Sequence, residues 1–155
     1  MKMPIDGLDK KLLRVIQDNN RITTEQLGEM VGLSSTACQR RLKKLRSAHV
    51  IEKDISVIDP RAVGQTLITL VEVSLERERA DIIDRFKSAI RATPEIMLGF
   101  YVTGDADFVL VITAQDMEDY ENFTRKFFYG NHDIKNFKTM VVIDRVKTGF
   151  TIPIR

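Results

Sequence analysis

Between Met30 and Ile51 there is no carboxylate, yet the segment carries five Lys/Arg. Set on a helical wheel with Cys38 at the centre, Leu42 and Leu45 fall beside it, while Thr36, Gln39, Arg40, Lys43 and Ser47 fall opposite. Arg41, Lys44 and Arg46 lie at the flanks. Such a helix has one side to dock and one to present. The chemistry of the presented side is that of duplex recognition: cations displace counterions from phosphates, while guanidinium, amide and hydroxyl groups reach base edges in a major groove. The pattern assigns Arg41, Lys44 and Arg46 to phosphates. Thr36, Gln39, Arg40 and Lys43 are assigned to bases, with Ser34 and Ser35 at the helix entry. An isolated basic helix is more often a solvated face, so the reading depends on the elements around it.

Those elements are two further helices. Asp6 stands at an N-cap with Asp9 three residues on, followed by Leu8, Leu12, Leu13 and Ile16 at helical spacing. Thr23 and Gln26 form a capping-box signature before Leu27, Met30 and Val31, and Gly32 is placed to end that helix in the left-handed conformation. Ser34 then caps the basic helix, which is expected to run to about Ala48. Two capped helices joined by a Gly-containing turn, with the basic one second, favour duplex binding.

Beyond it the period changes. Val50-Ile51 and Ile55–Ile58 read as short strands, and Asp59-Pro60 as a turn and boundary. The remainder alternates in the order βαββαβ: strands over Thr66–Leu75, Ile96–Thr103, Phe108–Ala114 and about Ile134–Val146, with helices before Pro94 and after the cap at Asp116. This is the order of the ferredoxin-like split βαβ, with both helices on one sheet face. Strands such as Leu67–Val71 and Phe108–Ile112 are apolar on both faces, so the uncovered face is expected to meet a second copy in a homodimer. The domains implied are 1–53, a hinge strand and linker at 54–65, and 66–155. The fold class is α+β, a helix-turn-helix before a ferredoxin-like domain.

Charge follows that division. Of a net +2, residues 1–59 hold 11 Lys/Arg against 8 Asp/Glu and residues 60–155 hold 13 against 14. The lone Cys38 excludes an intramolecular disulfide and a cysteine-based zinc site, and reads as a small core residue in a reducing compartment. No apolar run is long enough for a bilayer, and the N-terminus lacks a signal-peptide stretch, so a cytoplasmic protein is expected. No nucleophile signature or phosphate loop occurs, which argues against an enzyme, and no cofactor is implied. His49 and His132 fall in different domains and suggest no metal site. Tyr120, Phe123, Phe127 and Phe128 share a helix face with Met117 and read as core rather than as base-stacking groups.

The chain resembles the leucine-responsive and asparagine-responsive regulators (Lrp/AsnC) over nearly its whole length. The resemblance is carried by Leu8–Leu13, Arg21-Ile22, Leu27–Val31, Gly32-Leu33-Ser34, Cys38 with Arg41–Leu45, Val50-Ile51, Val102–Asp107 and Asp116-Met117 with Tyr120 and Phe123. It implies a DNA-binding transcriptional regulator with a winged helix-turn-helix, a hinge strand, and a second domain that binds amino acids and assembles dimers, often octamers. It also implies that the turn Gly104-Asp105-Ala106-Asp107 contributes Gly104, Asp105 and Asp107 to an effector pocket between dimers. From the residues alone the same turn reads as a hairpin connection. The chain departs from the family pattern in having His49 for the usual Gly, Ser35 for a frequent Pro, Asn131-His132-Asp133 for Pro-Gly, and Ala106 for a frequent aromatic. Two other classes remain open: an effector-independent architectural DNA binder, and an amino-acid-binding regulatory subunit of a metabolic enzyme.

Overall fold

Helix ends are set where the capping residues stand. The computed structural model describes residues 3–155. Asp6 and Asp9 exchange side chain to backbone hydrogen bonds of 2.8 and 3.2 Å and open α1 (Gly7–Asp18). Thr23 and Gln26 do the same for α2 (Thr24–Val31). The Ser34 hydroxyl accepts from Ala37 N–H at 3.2 Å and opens α3 (Ser35–Ser47). Each cap satisfies donors that a helix start otherwise leaves without partners. Leu12, Leu27, Val31, Cys38, Leu42 and Leu45 form the buried core of this unit.

Two glycines make the turn from α2 to α3. Gly32 takes φ 77°, the left-handed conformation that costs it nothing. Gly28 lies against the Leu33 carbonyl, where any Cβ would clash with backbone. At the far end of α3 the left-handed position is held by His49, the only non-glycine residue with positive φ (54°) among the described residues.

The strands expected at Val50-Ile51 and Ile55–Ile58 do not form: Val50 and Ile51 bend back, their N–H groups donating to Leu45 O at 2.9 and 3.3 Å, and residues 52–58 join no strand ladder. A strand exists only through its hydrogen-bonded neighbour, and among the described residues no strand pairs with this segment. The end of the helix-turn-helix is therefore a turn rather than a β-ribbon.

The second unit, Ile58–Val146, begins with a 3-10 turn at Pro60–Val63 capped by Asp59. It continues as β1 (Leu67–Leu75), α4 (Ala80–Ala92), β2 (Ile96–Tyr101), β3 (Phe108–Ala114), α5 (Met117–Thr124) with a π-helical extension at Arg125–Tyr129, and β4 (Ile134–Val141). The sheet is antiparallel in the order β2-β3-β1-β4, that of the ferredoxin-like fold. One face, with Val71, Val73, Leu110 and Ile112, packs on Ile82, Phe86, Tyr120 and Phe128 from the helices. Gly99 is required on that face, since a Cβ there would meet Ile90. The aromatic side of α5 is thus core. The loop Asn131-His132-Asp133 is locally braced: Asp133 accepts from Arg85 at 2.6 Å and its carbonyl from Glu76 N–H at 2.8 Å.

β4 stops at Val141 rather than near Val146. Its partner β1 begins at Leu67, the last backbone bond of the pair runs from Val142 N–H to Ile68 O, and the chain beyond has nothing to pair with. Ile143 and Val146 are accordingly exposed. The final segment Lys147–Arg155, read from sequence as part of the second domain, groups with the first unit instead. The Gln17 amide bonds both the N–H and the carbonyl of Ile152 at 3.1 Å, and Arg14 Nε donates to Ile154 O at 2.9 Å. No helix is long and apolar enough to cross a membrane among the described residues.

Candidate nucleic-acid interface

The buried stripe of α3 decides what its other side can do. Cys38 and Leu45 are fully buried and Leu42 nearly so, pinning the helix. Burial also pushes the Cys38 thiol up, so it packs as a small apolar group. Opposite this stripe Thr36, Gln39, Arg40, Lys43, Lys44 and Ser47 are all exposed.

The basic residues divide into two groups. The Arg41 guanidinium bridges Asp6 at 2.7 Å and Asp9 at 2.8 Å, tying α3 to the capping box of α1. Arg46 binds Asp54 through Nε at 2.8 Å and Nη2 at 3.2 Å. Each of the two already has a carboxylate partner, so a phosphate would have to compete for it. Arg40, Lys43 and Lys44 have no such partner among the described residues. The Arg41 pairing is not visible in the sequence because Asp6 and Asp9 lie more than thirty positions away.

The pairs move the acids. The Asp9 backbone N–H, followed by Arg41, holds Asp6 below the usual carboxylate range, and Arg46 does the same for Asp54. Ser34 is engaged as the cap. Ser35 shares a 2.7 Å hydrogen bond with the Thr24 hydroxyl and donates to Glu25 at 3.0 Å, which fastens the start of α3 to α2. Glu25 is lowered by its own backbone N–H first and then by that hydroxyl.

The turn between β2 and β3 has a different character. Gly104 takes φ 123° and supplies the reversal. The Asp107 carboxylate accepts the Leu75 N–H at 2.6 Å and its own N–H donates to Val73 O at 2.9 Å, so this acid closes the end of β1. Asp105 is exposed, with its carboxylate unengaged among the described residues. Of the three effector candidates Asp107 therefore has a structural role of its own. His49 and His132 stand in different units, and no cluster of metal-ligating side chains occurs among the described residues.

A helix-turn-helix whose second helix presents unpaired cations, joined to a ferredoxin-like α+β unit, defines a class of two-part DNA-binding regulators. Comparison with known proteins makes this specific. Residues 5–46 match the AsnC-type helix-turn-helix domain and residues 68–152 the Lrp/AsnC ligand binding domain. The chain belongs to the Lrp/AsnC family of transcriptional regulators. It is 64% identical to the uncharacterized HTH-type transcriptional regulator y4tD of Sinorhizobium fredii, covering 98% of this chain and 90% of that one. It is 32% identical to a leucine-responsive regulatory protein of Haemophilus influenzae, covering 96% and 90%. A Neisseria meningitidis transcriptional regulator crystallised in complex with L-Met superposes with a TM-score of 0.90 at 29% identity, covering 97% of each chain.

Proposed function

We propose that the exposed face of α3 enters the major groove, with Arg40, Lys43, Thr36 and Gln39 toward base edges and Lys44 toward phosphate, while Arg41 and Arg46 chiefly hold the helix in place. The single observation behind this is the partition of the five cations. Two are spent on internal carboxylates, and the three without one lie away from the buried stripe. Two-fold pairing of the chain would match half-sites about one helical turn apart. Such pairing is supported by the uncovered sheet face, where Phe100 and Met140 are exposed and Leu70, Leu98 and Val111 are only half-buried.

The regulatory ligand is an amino acid or a close relative, bound near Gly104 and Asp105 where copies meet. Support comes from the ligand-binding model matched by the second unit and from the L-Met held by the Neisseria regulator. Asp105 offers a carboxylate for an ammonium group, and Gly104 lets backbone approach a ligand closely. Titrating an amino-acid panel against duplex affinity and assembly size tests this; silence to every compound favours an architectural binder.

For the duplex itself, the double variant Arg40→Ala/Lys43→Ala is measured on the gene's own upstream region across salt concentrations. Affinity is expected to fall by about a hundredfold and the salt slope by about 1 to 2. Unchanged affinity and slope would refute the placement of α3.

A further inference from the structure

The first unit has a cleft of about 470 Å³ beside α3. Its apolar part comes from Ile16, Ile22 and Leu42, and its polar edge includes Asn20 from the α1–α2 corner and Lys43 from α3. No carboxylate lines it. The cleft is open where Gln39, Lys43 and Ser47 stand exposed, so it borders the face assigned to the duplex.

We infer that this cleft seats one deoxyribose-phosphate of the duplex backbone, making the α1–α2 corner a second wall of the DNA interface. The inference rests on the reading of α3 as the groove-facing helix. The chemistry is complementary in two parts. A sugar edge is apolar and fits the Ile16, Ile22 and Leu42 surface, while its phosphate meets the Asn20 amide and the Lys43 ammonium. Arg21 does not line the cleft, but it stands between two residues that do, Asn20 and Ile22, and is exposed with no ion pair among the described residues. A helix-turn-helix places its first helix across the backbone while the second reads bases, which puts such a corner within reach of phosphate. Contacts of this kind position the protein and carry no sequence information.

Asn19 closes α1 as its C-cap, its side chain accepting from Arg21 N–H at 3.1 Å. Asn20 has no comparable hydrogen bond among the described residues and is exposed at the cleft.

The test uses the full chain with Asn20→Asp and, separately, Arg21→Ala, against Lys43→Ala as comparator. Binding is measured by fluorescence anisotropy on the gene's own upstream duplex and on a random duplex of equal length, at several salt concentrations. Asn20→Asp sets a carboxylate against the phosphate and is expected to weaken both duplexes alike, by about tenfold. Arg21→Ala is expected to make the salt slope shallower by about one. If Lys43→Ala weakens binding while both corner variants stay within about twofold of the parent, the inference is overturned and α3 stands. If Lys43→Ala and Arg40→Ala are also silent, the groove-facing reading itself fails and takes the inference with it. A change in sedimentation without a change in duplex affinity makes the cleft a contact between copies. A change only in amino-acid response makes it a small-molecule site. Either result overturns the proposal.

Discussion

The exposed face of α3 and the turn between β2 and β3 are made of the same kind of residue, short polar and charged groups at a surface. They differ in what those groups are already doing. On α3 two cations, Arg41 and Arg46, have internal partners, while Arg40, Lys43 and Lys44 are exposed and have none among the described residues. At the turn, Asp107 is committed to the Leu75 N–H and only Asp105 is left over. Residue type proposes a binding site; the hydrogen bonds already made decide how much of it is available.

The largest effect expected from this contrast is the loss of duplex affinity in Arg40→Ala/Lys43→Ala, with folding untouched because both side chains are exposed. Next comes Asp107→Ala. It strands a part-buried backbone donor and should destabilise the second unit by about 1 to 2 kcal/mol, seen in denaturant unfolding and in faster amide exchange at Leu75. Asp107→Asn keeps an acceptor oxygen and should cost less. Should Asp107→Ala unfold like the parent yet lose its response to amino acids, the turn belongs with α3 as a ligand surface and the contrast dissolves.

Arg41→Ala sharpens the comparison from the other side. It is expected to lower the unfolding midpoint of the first unit by less than Asp107→Ala lowers that of the second, and to weaken duplex binding less than Lys43→Ala does. A salt slope reduced as much as by Lys43→Ala would return Arg41 to the phosphate set. The same pair gives a pH signature. Asp6, Glu25 and Asp54 are held below the usual carboxylate range when folded. Their stabilisation is fully present above the unfolded values and is lost as pH falls through the lowered folded ones, so the first unit weakens in acid below about pH 4. Circular dichroism across that window should show a shallower dependence in Arg41→Ala.

The smallest effect is at His49. Its φ of 54° is costly for a side chain other than Gly or Asn. His49→Gly relieves that strain at some cost in unfolded-chain entropy, for a net gain of about 0.5 kcal/mol.

Much of the frame could be read in the sequence because it depends on near neighbours. Asp6, Thr23 and Ser34 cap within three residues, and the βαββαβ order follows from period changes along the chain. The stripe of Cys38, Leu42 and Leu45 is likewise local. What could not be read depends on partners far along the chain. Whether Val50–Ile58 becomes a strand is decided by the absence of a neighbour, and where β4 ends is decided by where β1 begins. Arg41 looks like Arg40 until Asp6 and Asp9 are brought beside it, and Asp107 looks like a free turn residue until Leu75 arrives. Asn20 carries no signal in the sequence because a cleft is a property of three helices together.

The grip of Gln17 on Ile152 spans 135 positions. During synthesis α1 emerges first, yet this part of its surface stays open to water until everything from Ile58 to Val146 has followed. The first unit thus draws on two stretches separated in sequence by residues 58–146, and joining them is a step of high contact order. A fragment cut at the hinge would keep all three helices and still lack a piece of its own wall.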